Sequence, residues 1–369
     1  MKTVIAVLLA FAMIFAMAAC SSGDGGGTEP AADESSGYKE GDKVLFGVSV
    51  RGLDNYYYVE LMQGINAVAS QIPNCEVVLM EHDGDDQKEV NDVKSFAARD
   101  GYKILYIDPQ SSAICAEVAE ICEEAEIYWT SAYTLGEGIY PWTYHYFVSH
   151  QALDDVTAGY EVAKAMFESF NGEPAKVACV AGELSNLASI NRIIGLEQAL
   201  AEYPNVTLID TQPGDWDTTK ALEITQTWLV KYNNDLDGIW AANDGMAVGV
   251  VEALKAAKQN GTIQVVGVDC IPTGIEAVIA GDMSATFYPY AKLMGAYGVS
   301  MAYAALNGTI DPDELCKVRE DCCYLTPGLV VTTENAQEIA DTLVFAEANI
   351  DDIDWKNPTV WGIGELVVE

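Results

Sequence analysis

Beginning at Val44, short apolar runs alternate with longer segments whose apolar residues recur every three or four positions. The runs at residues 44–50, 77–80, 104–107 and 127–130 predict buried strands, and the segments between them predict helices. In the first of these helices Tyr58, Leu61, Ile65 and Val68 share one face, and the next two span residues 87–99 and 112–125. After an aromatic stretch at 140–147 the alternation restarts. Its strands fall at 176–180, 206–209, 238–241, 264–268 and 285–287, and its helices at 153–170, 187–203, 218–232, 244–258 and 274–280. Strand and helix in strict turn mean parallel strands covered on both faces. The fold class that follows is α/β, with two doubly wound parallel-sheet lobes. A last helix at 290–307 and a strand at 329–332 are too little for a third domain, so they are expected to complete the other two.

The first residues stand apart from that pattern. Lys2 precedes seventeen uncharged, mostly apolar residues that end at Cys20, which predicts a secretory signal over residues 1–19. Ala18 and Ala19 before the Cys, with Ser21 and Ser22 after it, resemble a bacterial lipoprotein cleavage site. Cys20 is therefore the expected lipidation point, and the exported chain is expected on the outer or periplasmic side of the cell membrane, anchored through the lipid. Residues 20–42 are mainly Gly, Ser, Pro and acids, too poor in apolar surface to fold, and read as a flexible linker.

Composition narrows the partners. The chain has 369 residues, 19 Lys plus Arg and 56 Asp plus Glu, for a net charge of −37. Polyanions are held through Lys and Arg that displace counterions, so nucleic acid is not an expected partner. Apart from Cys20 there are eight cysteines, with no C-x-x-C pair, and no histidine lies in an H-E-x-x-H helix. No metal and no cofactor are expected. Cys316, Cys322 and Cys323 are candidates for one disulfide in an exported domain. There is no G-x-S-x-G elbow, no phosphate loop and no G-x-G-x-x-G after the first strand, so an enzyme is not expected.

In open parallel sheets, ligands bind beyond the carboxyl ends of the strands. After the first strand come Asp54, Asn55, Tyr56, Tyr57 and Tyr58; after the fourth, Ser131, Tyr133 and Thr134. The second set supplies Ser185, Asn186, Ser189 and Arg192, then Asp215 and Trp216, then Asn243 and Asp244, then Asp269. Flat rings flanked by carboxylates, amides and a guanidinium suit a small polyhydroxylated ligand, whose C–H faces lie on rings while its hydroxyls need donors and acceptors. Asn55, Asn243 and Asp244 are also helix N-cap types. Asp269 closes a very apolar strand, so it needs a partner there, from protein or ligand.

These strand-end residues, in this order, resemble the ribose- and galactose-type family of periplasmic sugar-binding proteins, the substrate-capturing subunits of ABC importers. The similarity covers about residues 44–346. It is clearest at N-Y-Y-Y-V-E-L-M-Q-G (55–64), Ile107-Asp108-Pro109, Arg192 with Gly195, Q-P-G-D-W-D (212–217), A-N-D-G-M-A (242–247) and V-V-G-V-D (265–269). The resemblance implies a type I periplasmic-binding fold whose lobes are joined by three hinge crossings, near Ser149, residues 288–290 and residues 324–326. The first lobe would comprise 43–149 plus 290–325 and the second 150–289 plus 326–346, leaving 347–369 as a tail of unassigned role. Asn55 and Tyr57 or Tyr58 would line the first wall, and Arg192, Trp216, Asn243 and Asp269 the second. Ribose-type members carry an Asp-Arg pair where this chain has Tyr133-Thr134, and a late Gln that falls at Tyr288 or Pro289. Replacement of the charged pair by Tyr133 and Thr134, with Tyr288 or Pro289 in place of the Gln, is therefore expected to alter the ligand.

The resemblance implies hinge closure on a small, sugar-like ligand, and delivery to a membrane ABC permease. A lipid-tethered sensor for a signalling receptor, and a binder of a nucleoside or a quaternary ammonium compound, remain open alternatives.

Overall fold

The computed structural model describes residues 37–348, 354–356, 358 and 364–365. Cys20 and the signal at 1–19 lie outside the described residues.

The first lobe is built from β1 (Val44–Val50), α1 (Tyr56–Ala69), β2 (Cys75–Glu81), α2 (Asp86–Ala97), β3 (Tyr102–Ile107), α3 (Cys115–Glu124), β4 (Tyr128–Ala132) and β5 (Phe147–Leu153). The chain then supplies α4 (Asp155–Ser169), β6 (Ala175–Ala181), α5 (Leu187–Glu202), β7 (Val206–Pro213), α6 (Thr218–Lys231) and β8 (Gly238–Ala241) to the second lobe. That lobe continues with α7 (Asp244–Ala257), β9 (Gln264–Val266), α8 (Pro272–Ala280) and β10 (Ala285–Tyr288). Helix α9 (Ala291–Leu306) and β11 (Cys323–Thr326) return to the first lobe, β12 (Leu329–Thr332) joins the second, and β13 (Gly364–Glu365) closes an edge of the first.

The sheets run β13-β11-β5-β4-β3-β1-β2 and β12-β10-β9-β8-β6-β7. Pairing is parallel except for β10 with β12 and β11 with β13. The central strands β1, β4, β5 and β8 are buried along their whole length, as covering helices on both faces require.

Two expected boundaries move. The first crossing is expected near Ser149, but β5 runs beside β4 to Gln151 and beside β11 to Leu153, so the chain leaves the first sheet at Asp154, which caps α4 by accepting from Thr157 N. Ser149, His150 and Gln151 interrupt the apolar pattern of this strand, yet all three are buried. Their polar atoms turn inward: Ser131 Oγ lies 2.7 Å from His150 Nδ1 and Gln151 Nε2 donates to Met294 O at 2.8 Å, while His150 Nε2 has no hydrogen-bond partner among the described residues. The third crossing falls just after Thr326, since residues 323–326 pair with β5. The second lies at 288–290, between β10 and α9.

No disulfide joins Cys316, Cys322 and Cys323 among the described residues; all three are buried, and the Cys316 thiol is hydrogen-bonded with Cys322. The linker read as ending at residue 42 is docked earlier, because Tyr38 packs edge-on against Tyr102 and Tyr303, with ring centroids 5.3 and 6.0 Å away. The tail is engaged at two described points. Trp355 lies 5.9 Å from the Tyr303 ring, and β13 pairs with β11. Among the described residues no helix is long and apolar enough to cross a membrane, and no group of three or more His, Cys, Asp or Glu is placed to hold a metal ion.

Candidate functional site

Strand order reverses between β1 and β3 in the first sheet and between β6 and β8 in the second. At such switch points adjacent connections leave in opposite directions and open a crevice at the strand ends. The two crevices face each other here. Together they form one cavity enclosing about 540 Å³ of open space, mouth included, which is in the range of small-molecule sites.

Three helices begin at the cavity, each capped by an asparagine that lines it. Asn55 Oδ1 accepts from Tyr57 N at 3.1 Å, Asn186 Oδ1 from Ser189 N at 3.3 Å, and Asn243 Oδ1 from Met246 N at 2.9 Å. Capping uses only the amide oxygen, so each side chain keeps an NH₂ with donor capacity.

The second-lobe wall is organised by Arg192. Helices α4 and α5 pack backbone to backbone because Gly159 and Gly195 face the partner helix. A Cβ on Gly159 would sit 2.0 Å from Arg192 O, and one on Gly195 2.1 Å from Val156 O. That approach sets Arg192 against the start of α4. Its Nε donates to Asp155 at 2.7 Å, and its Nη1 to Ala242 O at 2.8 Å and to Asp269 at 3.4 Å. All three charged side chains are buried. Burial raises the carboxyls of Asp155 and Asp269 to about 6, with Arg192 pulling each back down. Trp216 lies 5.9 Å from the Arg192 guanidinium, and its ring fits because Gly182 has no side chain; a Cβ there would meet it at 2.3 Å. Tyr133, Trp216 and Asp269 all have positive φ, of 54°, 64° and 109°, a conformation that costs about 1–3 kcal/mol per residue and persists where the surroundings enforce it.

The first-lobe wall is aromatic. Tyr57 packs edge-on to Tyr58 and Tyr133, with centroids 5.2 and 5.8 Å apart. The hydroxyls of Tyr57 and Tyr133 hydrogen-bond to each other and meet the Met294 thioether, a weak acceptor, at 3.7 and 4.0 Å. Tyr58 donates to Asp108 Oδ2 at 2.8 Å. Burial raises the Asp108 carboxyl to about 7, against the lowering effect of that hydrogen bond. Beneath it, Glu89 accepts from Ser49 Oγ and Gln110 N, both at 2.9 Å, and burial raises it to about 8. His82, also at the cavity, is held down to about 4 by desolvation and so is neutral.

Of the nine residues singled out in the sequence, Asn55, Tyr57, Tyr58, Tyr133, Arg192, Trp216, Asn243 and Asp269 line this one cavity. Tyr288 does not. It ends β10 with its ring buried edge-on against Tyr290 at the lobe crossing, 4.8 Å between centroids. Asp244, next to Asn243, faces inward, where its carboxylate accepts from Thr286 Oγ1 and Ile271 N, so it serves packing. Arg51, His82, Asp108, Pro109, Gln110 and Ala188 complete the lining without having been assigned to it, together with Asn186, a strand-end candidate. Arg51 and Asp108 directly follow β1 and β3, the strands of the switch point, and Asn186 repeats the cap at Asn243; position and type were the available signals.

A cleft between two doubly wound lobes, with rings and hydrogen-bonding groups on both walls, defines a two-lobed solute-binding architecture. The chain belongs to the ribose- and galactose-type periplasmic sugar-binding family: residues 46–310 match the model of the periplasmic binding protein domain. It is similar to the ribose import binding protein RbsB of Haemophilus influenzae, with 31% identity over 267 residues, covering 72% of this chain and 86% of that protein. Among solved structures, a twin-arginine translocation pathway signal protein from Burkholderia phytofirmans superposes with a TM-score of 0.82 at 29% identity, over 89% of this chain and 99% of its own. An ABC transporter periplasmic solute-binding protein from Actinobacillus succinogenes, solved with bound D-allose, gives 0.70 at 25% identity, over 80% of this chain and 99% of its own. These neighbours share the type I periplasmic-binding fold.

Proposed function

We propose that this protein is an extracytoplasmic solute-binding subunit of an ABC importer, anchored through lipid on Cys20, that captures a small polyhydroxylated ligand between its lobes. The observation that carries the reading is the convergence of eight strand-end residues from both lobes on one cavity, with rings on both walls. Tyr57 or Tyr58 from one side and Trp216 from the other are suited to cover the faces of a ring, while Asn55, Arg192, Asn243 and Asp269 offer donors and acceptors to its hydroxyls. A ligand shifts an open–closed equilibrium only by its differential affinity for the two forms. Contact with both walls supplies that difference, and closure by hinge bending follows. Micromolar capture corresponds to about 8 kcal/mol, within reach of a ring sandwich and several charge-assisted hydrogen bonds in a dry cleft.

The test is a thermal-shift screen of the full chain against sugars, polyols, nucleosides and betaines, followed by calorimetry. A true ligand at one hundred times its Kd stabilises by about 2.7 kcal/mol. Absence of any shift or heat across the panel would sink the reading; a response to betaines alone would replace the polyol with a quaternary ammonium.

A further inference from the structure

The charges around the cavity do not balance. Arg192 is shared between Asp155 and Asp269. Arg51 is paired with Glu183, and its Nη1 also donates to Gln110. Four carboxylates thus face two guanidiniums, and both cations are committed. Asp108 is left over. It is only 7% exposed, lines the cavity, and accepts a hydrogen bond from the Tyr58 hydroxyl, with no cation in hydrogen-bond contact among the described residues.

A buried carboxylate without a cation is costly in a closed cleft, and ligand binding must either neutralise it or leave it protonated. The wall around it favours the first outcome. Tyr57, Tyr58 and Tyr133 cluster beside Asp108, and aromatic faces attract a cation that has lost its water. The Tyr57 and Tyr133 hydroxyls, tied to each other and to a thioether, keep lone pairs able to accept from an N–H group. Resting on the reading of the cleft as a polyol site, we propose that its ligand is a polyhydroxylated ring bearing a primary ammonium group, with the ammonium at Asp108 against the tyrosine wall and the hydroxyls toward the second lobe.

The experiment is calorimetry on the full chain with matched pairs: D-glucose and D-glucosamine, D-galactose and D-galactosamine, myo-inositol and its aminodeoxy derivative. In the pair that fits, the amine is expected to bind at least about tenfold more tightly than the neutral ring, and Asp108→Asn is expected to collapse that ratio toward one. A neutral ring that binds as well as its amine overturns the inference and leaves the polyol reading standing; so does an amine preference that survives Asp108→Asn. Failure of every member of every pair overturns the inference and counts against the polyol reading as well. The wild-type comparison needs no variant, so a poorly folded Asp108→Asn protein does not remove the test.

Discussion

Arg51, just after β1, forms a 2.7 Å ion pair with Glu183, just after β6, so the pair bridges the two lobes at the edge of the cavity. Glu183 also accepts from Gln110 Nε2 at 2.7 Å, and Gln110 in turn is tied through its backbone N–H to the buried Glu89. Glu183 does not itself line the cavity, so its removal deletes no lining side chain, only the tether on Arg51 and Gln110. Glu183→Ala is expected to weaken ligand binding by roughly fivefold, about 1 kcal/mol for a partly exposed pair with one extra hydrogen bond. The loss should appear as faster dissociation in stopped-flow measurements. An unchanged dissociation rate would show that the bridge contributes nothing to the closed form.

Arg192 holds two buried carboxylates at once. Arg192→Met strands Asp155 and Asp269 without a cation, and removing one partner of a buried pair typically costs about 3–5 kcal/mol. Urea unfolding is expected to show a loss of that size, partly recovered when Asp155→Asn and Asp269→Asn are added. Equal stability of wild type and Arg192→Met would mean that the network is energetically idle.

Trp216 and Asp269 sit on the second wall with strained backbones. Trp216→Ala and Asp269→Ala are each expected to abolish the ligand-induced thermal shift while circular dichroism stays that of the wild type. If both variants bind normally, the site has been assigned to the wrong residues.

Buried acids make stability depend on pH in an unusual direction. Burial raises Glu60 and Asp108 to about 7 and Glu89 to about 8, well above their unfolded values. The native state therefore holds protons that the unfolded chain has released. The contribution of these groups is complete below their unfolded pKa values and is lost as pH rises through the folded ones. His82 and His150, lowered by burial to about 4 and about 3, act oppositely, but only below about pH 6.5. Between pH 6.5 and 8 the carboxyls act alone, so the unliganded protein should lose Tm as pH rises, and Glu89→Gln should flatten the slope. A Tm that climbs across this range would contradict the assigned burial effects.

Much of this was legible in the sequence because period and position carry it. Strands β8 and β12 and the second-lobe helices follow directly from apolar runs and spacing, and strand ends marked most of the cavity lining. What escaped depends on three-dimensional partners. Strand β5 was hidden because Ser149, His150 and Gln151 look like surface residues until their internal hydrogen bonds are seen. Glu183 was one acid among 56, and nothing local says that an arginine from the other lobe meets it. Tyr288 was placed at the cavity from a family position, whereas its ring turns to Tyr290.

Tyr38 and Trp355 both rest on Tyr303 of α9. The leading segment and the trailing one are thus fastened to the same lobe. Among the described residues both chain-end contacts therefore load the first lobe, through one tyrosine ring.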